Sequence, residues 1–144
     1  MSESGLPAPA PSVSVETQFF WEETARGRLL LRRCLSCNSV IWYPRAICPE
    51  CSSNDTEWFS ATGRGCVYSY TVNRRGEGDY ANTQPYVLAY VELDEGPRIL
   101  TNIVGPDAQG AFVGAPVSLV LVDTGQGSAL PRFQLVADEV RSDR

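Results

Sequence analysis

The chain contains no histidine and no lysine, so its twelve positive charges are all arginine. Without imidazole it lacks the commonest general base, and with it every Ser–His or Cys–His nucleophile pair. Mixed Cys/His metal sites are excluded too, leaving thiolates and carboxylates as the strong ligands. The missing lysine is a compositional bias to which we attach no mechanism. Long apolar runs are also absent: none approaches the roughly 20 residues of a bilayer-spanning helix. The start, "MSESGLPAPAPSVSV", lacks the basic end and apolar centre of a secretory signal, so the expected location is cytoplasmic. A net charge of −5 opposes general attraction to phosphate backbones.

What remains is 144 residues of ordinary soluble composition, room for one domain or two very small ones. Residues 1–13 are rich in Pro, Ala and Ser and read as a disordered leader. Ser14 is placed to cap a helix from about Val15 to Arg26, with Glu16 in its first turn and Gly27 just beyond its end. This helical unit, residues 14–28, carries Phe19, Phe20 and Trp21 in succession. At about 100° per residue the three rings span about 200° of the wheel, more than a surface helix normally buries. At least one ring therefore points away from the helix's own core contact. All three are candidates for docking a partner.

"LLLRR" leads as a strand into a cysteine-rich segment. Beyond it, turn signals separate "TEWFSA", "GCVYSYTV", "YVLAYVEL", "RILTNIV", "VSLVLVD" and "RFQLVA". Such runs predict a mainly β chain forming a small antiparallel barrel or sandwich. Simple alternation puts Cys66, Tyr68, Tyr70 and Val72 on one face, with Val67, Ser69 and Thr71 on the other.

The strongest constellation is Cys34, Cys37, Cys48 and Cys51, two Cys-x-x-Cys loops ten residues apart. Each tight loop brings two thiolates to one ion, and two loops complete a closed tetrahedral site. Zinc suits four thiolates. With no open coordination position, its role is structural. Iron and a pair of disulfides are the alternatives; the tandem spacing and the lack of a secretory signal oppose disulfides. Asn38 and Ser52 follow the second cysteine of each loop, where glycine is common. Asn tolerates a left-handed backbone well, Ser less so. Cys66 reads as a buried, inert thiol within a strand.

The order "FFWEE…GRLLLRRC", "YPRAICPEC", "GRGCVYSYTV", "PYVLAYVELDEGPRILTNIVG" and "LPRF" resembles the acyl-CoA-associated zinc-ribbon/OB-fold family, over residues 14–136. The resemblance implies an N-terminal helix, a rubredoxin-like zinc ribbon at 29–56, and a C-terminal OB-fold antiparallel barrel with its tail at 57–144. Family members accompany thiolase-fold proteins: thiolases, hydroxymethylglutaryl-CoA synthases, and lipid-transfer-protein-like aldolases of steroid side-chain breakdown. The expected role is a non-catalytic accessory subunit that stabilises its partner and helps form an acyl-CoA site. A two-plus-two heterotetramer is expected by symmetry. Arg74 and Arg75, in "NRRGEGDYANTQP", are candidate contacts for a CoA thioester's phosphates, because guanidinium binds phosphate bidentately; simple solvation is the bland reading.

Two other classes compete. A single-stranded nucleic-acid module would use Tyr68 and Tyr70 as stacking platforms, against an acidic chain with no basic stripe. Electron transfer would need iron at the four cysteines. A stand-alone enzyme would rely on carboxylates such as Glu77 and Asp79, or on Tyr80, yet no catalytic pair stands out by spacing.

Overall fold

The helix begins with a turn closed by two hydroxyl side chains. In the computed structural model, which describes residues 6–83 and 85–136, the Ser14 N–H donates to Thr17 Oγ1 (3.0 Å) and the Thr17 N–H donates back to Ser14 Oγ (3.3 Å). This reciprocal arrangement is a capping box with Thr in the place of the usual Glu. Helix α1 proper spans Gln18–Ala25, shorter than the predicted run because Val15–Thr17 form turns. It ends at Gly27, whose φ of 91° allows Arg28 N–H to reach the Glu23 carbonyl and Gly27 N–H the Thr24 carbonyl, a Schellman stop. Glu16 is drawn away from the helix end: its carboxylate accepts the Ala46 N–H at 2.6 Å.

The three aromatic rings divide as the wheel requires. Phe20 is fully buried, Trp21 is 8% exposed and Phe19 is 42% exposed. Phe20 and Trp21 join the main core, and the Trp21 indole N–H donates to the Tyr43 hydroxyl (2.8 Å). That corrects the docking set. Two of its three members are occupied by their own chain, and Phe19 remains, edge-on to Trp58 at 5.6 Å.

Strands β1 (Leu30–Cys34), β2 (Val40–Ile41) and β3 (Thr56–Ser60) form an antiparallel sheet in the order β2-β1-β3. Every residue of β3 pairs with β1, from Cys34↔Thr56 to Leu30↔Ser60. The three-stranded sheet therefore extends to Ser60. The next five strands are β4 (Arg64–Asn73), β5 (Tyr86–Leu93), β6 (Arg98–Val104), β7 (Pro116–Asp123) and β8 (Ala129–Leu135). They close into a barrel, β4-β5-β6-β8-β7, with β7 returning to β4. Closure gives every barrel strand two neighbours, although β6 and β8 pair only at Ile103↔Phe133 and Val104↔Gln134. All its pairings are antiparallel except β6 with β8, which is parallel.

The simple alternation expected for β4 fails at one point. A bulge between Val67 and Ser69 shifts the register against β5. Val67 and Val72, five residues apart, both pack against the core, while Tyr68 at the bulge is exposed. One extra residue reverses the phase of everything after it.

A single core joins all three parts. Phe20 and Trp21 from α1, Leu29–Leu31 from the ribbon, and Val67, Val91, Ile103 and Phe133 from the barrel belong to one cluster. The buried Thr24 hydroxyl donates to the Trp21 carbonyl (2.6 Å) and accepts the Ala129 N–H (3.0 Å), fastening the helix to β8. Residues 6–13, expected as part of an unstructured leader, carry no helix or strand but are held. Leu6 is buried and the Pro7 carbonyl accepts from Arg132. The remaining leader positions, 1–5, and the tail after 136 lie outside the described residues. No helix among the described residues is long and apolar enough to cross a membrane.

Trp21→Ala is expected to destabilise the isolated chain by about 3 kcal/mol, as for other buried tryptophans. Phe19→Ala should change stability by no more than about 0.5 kcal/mol. Urea unfolding of the two variants beside the parent checks both; equal losses would return Phe19 to the core.

Candidate metal centre and exposed aromatic face

Each cysteine loop is built by the same two backbone hydrogen bonds around a tight turn. Asn38 N–H reaches the Cys34 carbonyl (2.8 Å) and Cys34 N–H the Ser39 carbonyl (2.8 Å). In the second loop, Ser52 N–H reaches the Cys48 carbonyl (2.9 Å) and Cys48 N–H the Ser53 carbonyl (2.8 Å). Both turns need a left-handed residue, and Asn38 and Ser52 share a φ of 67°. The second loop adopts that geometry although Ser is the less natural choice.

The two loops place the Sγ atoms of Cys34, Cys37, Cys48 and Cys51 within 4.8 Å of one another. Cys34 and Cys51 are 3.5 Å apart, Cys37 and Cys48 3.6 Å. Tetrahedral zinc with sulfur at 2.3 Å sets sulfurs about 3.8 Å apart, so the donor set fits the ion. Backbone N–H groups of Cys37 and Glu50 point at Cys34 Sγ and Cys48 Sγ, offsetting thiolate charge.

Four thiols this close cannot all ionise on their own. Hydrogen bonding with the Ser39 side chain, and then its backbone, pulls Cys37 down to about 6. Cys51 moves the other way: the Ser53 backbone draws it down, but the Cys34 thiol, burial and the other two sulfurs push it up to about 12. A cation at the centre removes this opposition, since bound thiols are deprotonated outright. Only Ile41 joins Cys34 and Cys48 in the small cluster under the centre, so the ion's binding energy supplies what that core cannot.

Other sequence candidates are not brought together with the metal centre. Arg74 and Arg75 are exposed in the loop after β4, with no hydrogen bond or ion pair among the described residues. Two of the ribbon's arginines are engaged internally: Arg32 stacks on Trp58 and Arg33 on Phe59, each at 4.5 Å. Glu77 and Asp79 are exposed and Tyr80 is half-buried. Cys66 is partly rather than fully buried, because it lines an open cleft beside Gly65 and Gly114, which offer no side chain to cover it.

The sequence reading missed an apolar face on the barrel. Tyr68, Tyr70, Tyr90 and Leu100 are each 40–57% exposed. Tyr90 is paired across the sheet with Ser69 on one side and Leu100 on the other. Tyr70, Leu88, Tyr90 and Leu100 line one shallow groove. The Arg98 guanidinium lies 3.8 Å from the centre of the Tyr68 ring, a cation–π contact that extends the face. The alternation of "YVLAYVEL" contained the signal: Tyr86, Leu88 and Tyr90 fall between the inward Val87, Ala89 and Val91.

Comparison with known proteins follows the same division. Residues 21–57 match the model of the ChsH2 rubredoxin-like zinc ribbon domain, and residues 58–122 match that of the ChsH2 C-terminal OB-fold domain. The chain is 36% identical over 126 residues to a probable enoyl-CoA hydratase alpha subunit of Thermomonospora curvata, covering 88% of this chain but only 39% of that subunit. It is 36% identical over 96 residues to a DUF35 domain-containing scaffold protein of Methanothermobacter thermautotrophicus, covering 66% of this chain and 72% of the relative. Among solved structures, a chain of the Ltp2-ChsH2(DUF35) aldolase superposes with a TM-score of 0.77 at 34% identity, covering 89% of this chain and all of that one.

The purified protein is expected to be colourless and to carry one zinc ion at the four-cysteine site, by elemental analysis. Cys48→Ser should lose that zinc and the ordered ribbon amide signals, while barrel signals persist. Full zinc content in the variant would contradict the assigned ligand.

Proposed function

This chain belongs to the ChsH2 zinc-ribbon/OB-fold family, and on that premise we propose that it is the non-catalytic accessory subunit of a thiolase-fold enzyme acting on carbon–carbon bonds of an acyl-CoA. The observation that carries the reading is the superposition on a whole chain of the Ltp2-ChsH2(DUF35) aldolase. The site chemistry agrees. Among the described residues the one concentrated set of reactive side chains is a closed thiolate centre, and a closed centre offers no position for substrate. The nucleophile and base belong to the partner.

In this reading each part has a task. Zinc holds the ribbon in shape when bound. The ribbon and α1 present Phe19 beside Trp58. The β4-β5-β6 face presents Tyr90 and Leu100, rigid groups that bury much area at little entropic cost. Arg74 and Arg75, unengaged within the described chain, are available to the phosphates of a CoA thioester shared between the subunits. A steroid or similar acyl chain and a two-plus-two assembly are the finer expectations. A single-stranded nucleic acid would compete for the same tyrosines, but net charge opposes it.

A tagged pull-down from the native host, with mass spectrometry, is expected to recover a thiolase-fold protein in equal amount, at a complex mass of two copies each. Recovery alone, or with nucleic acid, would overturn the proposal. Within the complex, Tyr90→Ala should weaken association by about 2 kcal/mol while the urea midpoint of the free chain stays in place. Arg74→Ala with Arg75→Ala should raise KM for the acyl-CoA with kcat held, read by steady-state kinetics.

A further inference from the structure

Arg132 is the one described arginine that is almost completely buried, at 2% exposure. Its neighbour Phe133 is fully buried in the core. The Arg132 side chain is covered instead by the N-terminal segment and the loop that carries Tyr80. One nitrogen, Nη2, donates to the Pro7 carbonyl (2.6 Å) and to the Tyr80 hydroxyl (3.2 Å). The other, Nη1, is buried with no acceptor. No carboxylate pairs with this guanidinium among the described residues. Both of its acceptors are neutral, which leaves a buried charge under-compensated. Burial lowers the Arg132 pKa from its ordinary value, and Tyr80 acts against that.

Arg132 also lines a cleft. Strands β6 and β8 pair only at Ile103↔Phe133 and Val104↔Gln134. Before that point they part, and the Thr101 hydroxyl spans the gap to the Pro131 carbonyl (2.8 Å). The opening measures about 220 Å³ and is walled by Trp21, Trp42, Tyr43, Tyr80 and Leu100. That is room for about seven waters at roughly 30 Å³ each, or for one planar ring bearing a single small group. Within the Tyr80 loop the backbone turns tightly, since a Cβ on Gly76 would overlap the Tyr80 backbone.

We propose that this cleft is a binding site for a small carboxylate with a flat apolar body, its charge met by Arg132 and its ring held between the aromatic walls. A carboxylate is the acceptor that suits the geometry: two oxygens match a planar fork, and its charge outweighs the neutral Pro7 carbonyl it competes with. Entry requires the Pro7 segment or the Tyr80 hydroxyl to yield, because Nη1 is sealed in the unliganded chain. The site is separate from the zinc centre and does not depend on the accessory-subunit reading.

Benzoate is the probe, titrated into the full chain. Trp21 and Trp42 line the cleft, so their fluorescence reports occupancy, and the Arg132 guanidinium resonances report the contact. The expected result is saturation with a Kd of about 1 mM or tighter, a shifted Arg132 signal, and binding of benzamide and inorganic phosphate at least about tenfold weaker. Arg132→Gln should abolish saturation. If that variant does not fold, Arg132→Lys replaces it and should weaken benzoate at least about tenfold. Tyr80→Phe should keep binding within about threefold. Absence of saturation by about 10 mM, equal binding of benzamide, preference for phosphate, or an unmoved Arg132 signal would each overturn the proposal.

Discussion

Four sulfur atoms within 4.8 Å of one another repel as anions and waste their hydrogen-bonding capacity as thiols. Residues 30–60 are organised around that conflict. Two left-handed turns, at Asn38 and Ser52, aim backbone N–H groups inward at the sulfurs. A two-residue strand and a five-residue strand pack on either side of β1. Beneath the centre the apolar cluster is very small. A ribbon of this size has too little surface to bury for independent stability. It relies on the ion at one end and, at the other, on Leu29–Leu31, which reach into the barrel's core.

That second attachment explains why the parts behave as one body. Helix α1 supplies Phe20 and Trp21 to the shared core and then spends its buried carboxylate, Glu23, on Arg26 (2.7 Å) and Arg28 (2.9 Å). Arg28 in turn bonds Ser60 at the end of β3. Apolar contact and charge thus converge on the junction between ribbon and barrel. Among the surfaces left over are the Phe19 edge and the tyrosine face of β4-β5-β6. Both are rigid, since their strands and helix are fixed from behind, and rigid aromatic surface is what an interface gains most from.

Much of this was legible from residue order. The cysteine spacing located the metal centre, and the alternating runs located seven of the eight strands. What was hidden had physical causes. Strand β2 is two residues long and too short to show any period. The bulge at Tyr68 inverts inside and outside partway along β4, which no simple alternation can anticipate. Phe20 and Trp21 looked like docking groups because a helix wheel gives the angle between rings but not which side the rest of the chain will occupy. Arg132 gave no local signal at all: it is held by Pro7 and Tyr80, both far away in sequence.

The hydrogen bond from the Ala129 backbone to Thr24 joins residues 105 positions apart. It forms where the last described strand meets the only described α-helix. In a ribosome-bound chain, α1 emerges long before β8 exists, so Phe20 and Trp21 have no barrel to enter. Non-local pairings of this kind slow folding, because the entropy of closing the long loop is lost before the contacts form. Until β8 arrives, the aromatic helix face and the open edges of β6 and β7 stay exposed together, and this interval is when the nascent chain is most open to misassociation.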